Sequence, residues 1–181
     1  MNKNEEEQIS ESLRDFPEDL TKLIYGSLDT KDLSKKFTSR ETLVNMGKTI
    51  IPQIHRLLVS ENDSLRMEAA KITELIGDRR SIPELLRMLD DSVFDIRWIA
   101  SEGLINIGRQ SICPLLKSVR DGRSSFFFNK GAHHILLVLL NESERNNLIP
   151  LLQSLDNYHE LGETAPVQAS IALNTVVNCN A

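Results

Sequence analysis

Ile82-Pro83-Glu84-Leu85-Leu86-Arg87-Met88-Leu89 decides the reading of this chain. Its apolar residues stand just before the proline and two and five residues after it, one stripe at helical spacing. Proline suits the first turn of a helix, where its missing N–H has no partner to lose and its fixed φ is already helical. Pro83 therefore marks a helix start. The same pattern stands upstream in Ile51-Pro52-Gln53-Ile54-His55-Arg56-Leu57-Leu58 and downstream in Cys113-Pro114-Leu115-Leu116-Lys117-Ser118-Val119. Pro52, Pro83 and Pro114 are evenly spaced, so the pattern is a repeat with a constant period. A fourth copy is Ile149-Pro150-Leu151-Leu152-Gln153-Ser154-Leu155.

Upstream of these starts runs a second repeated unit. Leu65-Arg66-Met67-Glu68-Ala69-Ala70 through Gly77 aligns with Ile96-Arg97-Trp98-Ile99-Ala100-Ser101 through Gly108. Gly77 and Gly108 fit the left-handed stop of a helix, and Ala69 and Ala100 are small where two helix backbones approach. The links to the prolines are short, which forces antiparallel neighbours. Asp63 and Asp95 are expected to cap the first helices. Arg66 and Arg97 are expected to reach an aspartate of a neighbouring unit. A single helix pair cannot bury its apolar stripe, so stacked pairs share one core and atypical units close the ends.

Weaker copies extend the pattern. Ser39, Leu43, Met46 and Gly47 fill first-helix positions in residues 36–61. In residues 126–156 the step from Ala132 to Pro150 is longer than the step from Ala69 to Pro83 by about one helical turn. A last helix is expected from Ala165 to Val177, with Ala169, Leu173 and Val176 in register. Phe16 to Ile24 reads as a second helix behind a polar one spanning Glu5 to Arg14. About five to six antiparallel pairs fit this length. Residues 1–12 read as a polar N-terminal segment, partly helical or disordered, and residues 13–181 as a single repeat domain.

The recurring pattern of apolar residue, Arg, two residues, Ala, then Ile-Gly and Ile-Pro-x-Leu-Leu resembles HEAT repeats of the PBS-lyase type. Asp90-Asp91 followed by Arg97 matches that family's Asp after one pair and Arg opening the next. The match is best over residues 62–121. The resemblance implies an all-α fold, a right-handed α-α superhelix of the HEAT-like or armadillo type, with the second helices along the concave side. Some HEAT-type hydroxylases hold iron through His-Glu pairs at first-helix starts. The matching positions here are Arg66-Met67-Glu68 and Arg97-Trp98-Ile99, without histidine. The one His-Glu pair, His159-Glu160, reads as loop, so neither a metal nor a cofactor is expected.

Composition narrows the classes further. Hydrophobic residues make up 40 % of the chain and charged residues 26 %, as in a globular domain, while aromatics at 5 % leave the core to aliphatic side chains. The longest apolar run, Ile135 to Leu140, is far below the ~20 residues of a membrane span. The polar, acidic start lacks the features of a secretory leader, so a cytoplasmic protein is expected. Cys113 and Cys179 form no metal-ligand pair and suggest no disulfide framework. Cys113, aligned with Ile51 and Ile82, is expected to be a buried small hydrophobe and not a nucleophile. The net charge of −5 argues against a general nucleic-acid binder. No catalytic constellation is apparent, and no Gly-rich phosphate loop.

The candidate contact residues lie on the second helices. His55, Arg56, Arg87, Lys117 and Arg120 form an expected basic ridge suited to an acidic peptide or phosphate groups. The other reading is that Arg56 and Arg87 pair with Glu84, Asp90 or Asp91. Trp98 packs between repeats or anchors a partner. Phe126-Phe127-Phe128 cannot all face one core, since three consecutive helical residues diverge too widely. They either start the fourth pair or form a hydrophobic contact, with Phe127 the candidate. The leading function is a non-catalytic protein–protein interaction or scaffold module with a protein or peptide partner, acidic in character. The alternatives are a nucleic-acid-binding HEAT-like protein and a bilin-lyase-like accessory factor or enzyme.

Overall fold

The computed structural model describes residues 3–122, 125–157 and 164–175, and all the regular structure among them is helical. It divides into two compact units, residues 1–81 and residues 82–181.

The first unit holds α1 (Lys3–Ser12), α2 (Glu18–Ser27), α3 (Leu33–Met46), α4 (Ile51–Leu57) and α5 (Asp63–Ile76). Helix α1 is polar, yet it buries Ile9 and ties back through Ser12 to Ser60 and through Gln8 to Asn62. Helices α2 and α3 pack closely because Gly26 has no side chain. A Cβ there would overlap Ser39 Oγ. Helices α3 and α5 are joined by Arg40, whose Nε and Nη2 donate to Glu68 Oε1 and Oε2 at 2.7 and 2.5 Å.

The second unit holds α6 (Ile82–Met88), α7 (Phe94–Ile107), α8 (Ile112–Arg120), α9 (Phe126–Leu139), α10 (Glu142–Asn147), α11 (Ile149–Asp156) and α12 (Thr164–Thr175). Helix α7 packs on α6 and α9, α9 packs on α11, and α12 lies against α8 and α11. Its core contains Leu85, Ile96, Ala100, Leu104, Leu115, Leu116, Phe128, Ala132, Ile135 and Leu155.

The prolines and glycines punctuate the helices where expected, though of the two expected left-handed stops Gly77 adopts that conformation and Gly108 does not. Pro52, Pro83, Pro114 and Pro150 all fall within the first turn of their helices. Gly47, Gly77 and Gly108 end α3, α5 and α7 with φ of 58, 61 and 82°. The ψ of Gly47 and Gly108, −133 and −150°, falls in a region essentially confined to glycine. A short 3₁₀ turn then leads to the proline-started helix: Gly47–Thr49, Arg79–Ser81 and Gly108–Ser111. The extra turn of chain before Pro150 goes into α10. This helix carries a capping box between Asn141 and Glu144, and Arg109 clamps it by donating to Glu144.

Several local expectations need correction. The cap of α5 is Asn62, whose side chain accepts from the Leu65 N–H, and Asp63 instead pairs with Arg66. Val93 precedes α7 and gives no side-chain cap, so Asp95 is a first-turn acid only. Among the described bonds, Arg66 and Arg97 are held by their own loops and not by the side chain of a neighbouring unit's aspartate. Each donates to a backbone carbonyl earlier in its own loop, Ser60 O and Asp91 O, both at 2.7 Å. Helix α8 starts one residue early, at Ile112. That rotates the stripe, so Ile112 takes the core position while Cys113 is half-buried and, against expectation, disulfide-bonded. His159, Glu160, Val176 and Cys179 lie outside the described residues.

Asp78, nearly buried beyond α5, supplies a pH test. Its carboxylate accepts from Arg80 Nε at 3.0 Å and from the Arg80 backbone N–H at 2.9 Å, with Lys48 Nζ at 3.6 Å. The Arg80 bonds hold its pKa down to about 2. A carboxylate depressed in the folded state stabilises above its unfolded pKa of roughly 3.9 and loses that contribution as pH falls toward the folded value. Chemical denaturation should therefore show stability falling by about 1–2 kcal/mol more in wild type than in Asp78→Asn between pH 4 and pH 2. Identical pH profiles would contradict this.

Candidate functional site

The basic residues predicted from the sequence each meet a local partner or lie near one on the surface. His55 and Arg56 lie on α4. His55 Nε2 is 2.9 Å from Ser81 Oγ, and Arg56 pairs with Asp15 at 3.6 Å while covering the Phe16 ring. On α6, Arg87 donates twice to Glu84, the partner foreseen in the paired reading. On α8, Arg120 donates to Asp121 at 2.7 Å, and Lys117 is exposed. The ion pairs are themselves exposed and hold their geometry weakly, at ~0–1 kcal/mol each.

The sixth candidate, Phe127, leads to a site assembled from α7 and α9. Phe94 and Trp98 are four apart on α7 and share a face. On α9, Phe127, Lys130, Gly131 and His134 share another, with Phe126 beside them. The two helices close on each other at Gly131. A Cβ there would meet Leu89 Cδ2 at 3.0 Å and Ser101 Oγ at 3.3 Å. Between the helices lies a cleft of about 290 Å³, lined by Leu89, Phe94, Arg97, Trp98, Ser101, Phe126, Phe127, Lys130, Gly131 and His134.

Four aromatic rings of this lining are partly exposed: Phe94 is 65 % exposed, Trp98 50 %, Phe126 41 % and Phe127 46 %. Phe128 is fully buried. The triple-phenylalanine segment thus divides, one ring in the core and two in the cleft. Phe126 and Phe127 meet edge to face, with centroids 5.6 Å apart.

The polar groups of the cleft are fixed from several sides. The Arg97 guanidinium lies 3.9 Å from the Phe127 ring centroid and 5.6 Å from that of Phe94. Its Nη1 donates to Asp91 O at 2.7 Å and Ser92 O at 3.1 Å. The His134 ring stacks on Trp98 at 5.0 Å, and its Nε2 is 3.1 Å from Glu102 Oε1. Lys130 donates to Asp156 Oδ1 at 2.5 Å, a bond that keeps the Asp156 carboxyl below its ordinary range. His133, adjacent to His134, points elsewhere. Burial lowers its pKa, against the pull of Asp156.

Sequence reasoning named Phe127 and singled out Trp98 but gave Arg97 a structural role and left Phe94, Lys130 and His134 unassigned. A usable signal was present. Aligning Ala100 with Ala132 sets Phe94 opposite Phe126 and Glu102 opposite His134.

Trp98 is the only tryptophan in the chain, so its emission reports on this cleft. His134→Ala should raise the accessibility of Trp98 to acrylamide quenching, because the stacked ring is lost, while His133→Ala leaves it unchanged. Equal effects of the two variants would contradict the stacking. Compared with known proteins, this chain matches no family model and no curated protein.

Proposed function

We propose that this chain is a HEAT-like helical-repeat module, a right-handed α-α superhelix, that acts without catalysis by holding a partner protein, and that the α7–α9 cleft is its contact surface. One observation carries the reading: four partly exposed aromatic rings and an arginine gathered around one cleft. Scattered exposed apolar residues are ordinary, but a contiguous cluster is not. Tryptophan, other aromatics and arginine are also the residues that dominate protein–protein contact energies.

The alternatives find less support. A single-stranded nucleic-acid groove combines aromatic platforms with surplus cations. Here Lys130 is engaged by Asp156, and His134 by Glu102. An enzyme would need a nucleophile or a metal at the His134–Glu102 pair. The Ser101 hydroxyl donates to the Arg97 carbonyl at 3.1 Å instead. Among the described residues no three His, Cys, Asp or Glu side chains gather as metal ligands, and no helix is long and apolar enough to cross a membrane. Arg56, Arg87 and Arg120, the predicted basic contacts, are weaker candidates, since each arginine already faces a carboxylate.

The test uses the immobilised chain and a protein captured from native lysate, then purified and rebound. Wild type should hold it, and Trp98→Ser/Phe127→Ser, with an unchanged melting curve, should bind it at least about tenfold more weakly. Retention by this variant with loss on Arg56→Glu or Arg87→Glu would move the contact to those basic residues. Binding that collapses between roughly 50 and 200 mM salt, with nucleic acid as the captured species, would replace the reading altogether.

A further inference from the structure

We propose that the α7–α9 cleft reads an acidic–apolar peptide segment: Arg97 takes a carboxylate on its Nε–Nη2 edge, and the aromatic rings take the neighbouring apolar side chain. This rests on the cleft being the contact surface. Half of the Arg97 guanidinium is engaged within the described residues and half is open. Its Nη1 is bonded to Asp91 O and Ser92 O, and the Phe127 face lies 3.9 Å from the guanidinium, so the plane of the group is fixed. Its Nε and Nη2 donors have no acceptor among the described residues. These two donors form the edge that grips a carboxylate bidentately. The same chain shows that grip elsewhere, where Arg40 holds Glu68 through Nε and Nη2 at 2.7 and 2.5 Å.

Charge selects the occupant. Lys130 is neutralised by Asp156, which leaves Arg97 as a lining cation with no carboxylate partner among the described residues. A quaternary or methylated ammonium, the usual guest of an aromatic cage, would be repelled by the guanidinium at its centre. A purely apolar guest would cover two arginine donors without pairing them, which is unfavourable. A phosphate dianion calls for a second cation, and among the described lining residues the other ammonium, Lys130, faces Asp156. A single carboxylate satisfies the edge and the charge together. The volume of about 290 Å³ lies at the small end of ligand sites and suits one bulky side chain beside that carboxylate.

The test reads Trp98 emission in the full chain. The probes are acetylated, amidated hexapeptides of sequence Gly-Ser-Phe-Glu-Ser-Gly, the versions with Phe-Gln and Ala-Glu at the centre, and 3-phenylpropionate alone. The Phe-Glu peptide should give a saturable change, and both altered peptides should bind about tenfold more weakly. Arg97→Gln should bind the Phe-Glu and Phe-Gln peptides alike. Arg97→Lys keeps the charge without the fork and should recover only part of the preference. Arg97 also holds the Asp91–Ser92 loop, so the comparison of Phe-Glu with Phe-Gln on wild type decides the matter even if the variants unfold. Equal binding of those two peptides, or no response up to about 5 mM, overturns the proposal. Binding of 3-phenylpropionate as tight as that of the Phe-Glu peptide also overturns it, in favour of a small-acid site. A captured protein that leaves Trp98→Ser/Phe127→Ser but stays on a folded Arg97→Gln sinks this inference alone. One that stays on both sinks the contact-surface reading as well.

Discussion

A glycine with positive φ ends α3, α5 and α7, and the rest of the architecture depends on it. Ordinary side chains resist that conformation, whereas glycine enters it without steric strain. The chain therefore leaves each helix through a bend that only glycine enters freely, left-handed at Gly77 and with ψ of −133 and −150° at Gly47 and Gly108, makes one 3₁₀ turn, and enters a proline-started helix within a few residues. A short, fixed link of this kind sets which face of the following helix looks inward. The apolar stripe that follows Pro52, Pro83 and Pro114 is then buried, while Ile149 before Pro150 stays exposed, and charged residues such as Arg56, Arg87 and Lys117 are left in solvent.

The same punctuation creates the cleft. Helices α7 and α9 approach closely because Gly131 carries no Cβ and Ala100 and Ala132 are small and fully buried. Equivalent positions on the two helices then stand side by side. Glu102 meets His134, and Phe94 and Phe126 line one cavity. The turn after α6 adds the carbonyls of Asp91 and Ser92 that hold Arg97. Arg66 makes the corresponding bond to Ser60 O, so this arginine begins as a structural clasp of the repeat. At Arg97 the clasp acquires a second character, because Phe94, Phe127 and an open cleft surround it.

What was legible in the sequence follows from this division. Proline, glycine and alanine act through backbone geometry and close approach, which are local and periodic, so the helix starts, stops and contact points could be read directly. Features that depend on a one-residue shift or on tertiary partners could not. Helix α8 begins at Ile112 and not at Cys113, which turns the cysteine out of the core position its alignment suggested. Asn62 takes the cap expected of Asp63, because the aspartate is drawn to Arg66. Helix α10 absorbs an insertion whose length was visible but whose helical form rests on a capping box and on Arg109. The cleft needed side chains from two helices with α8 between them in the chain, and only an alignment through Ala132 hinted at the pairing.

The central claim is that a partner is held by the opening turns of α7 and α9, around Arg97. Hydrogen–deuterium exchange of the full chain, with and without its captured partner, tests it most directly, because exchange maps protection along the whole sequence. The account predicts added protection in residues 91–98 and 125–134 and little change around Arg56, Arg87 and Lys117. Protection concentrated on α4, α6 and α8 instead would contradict it.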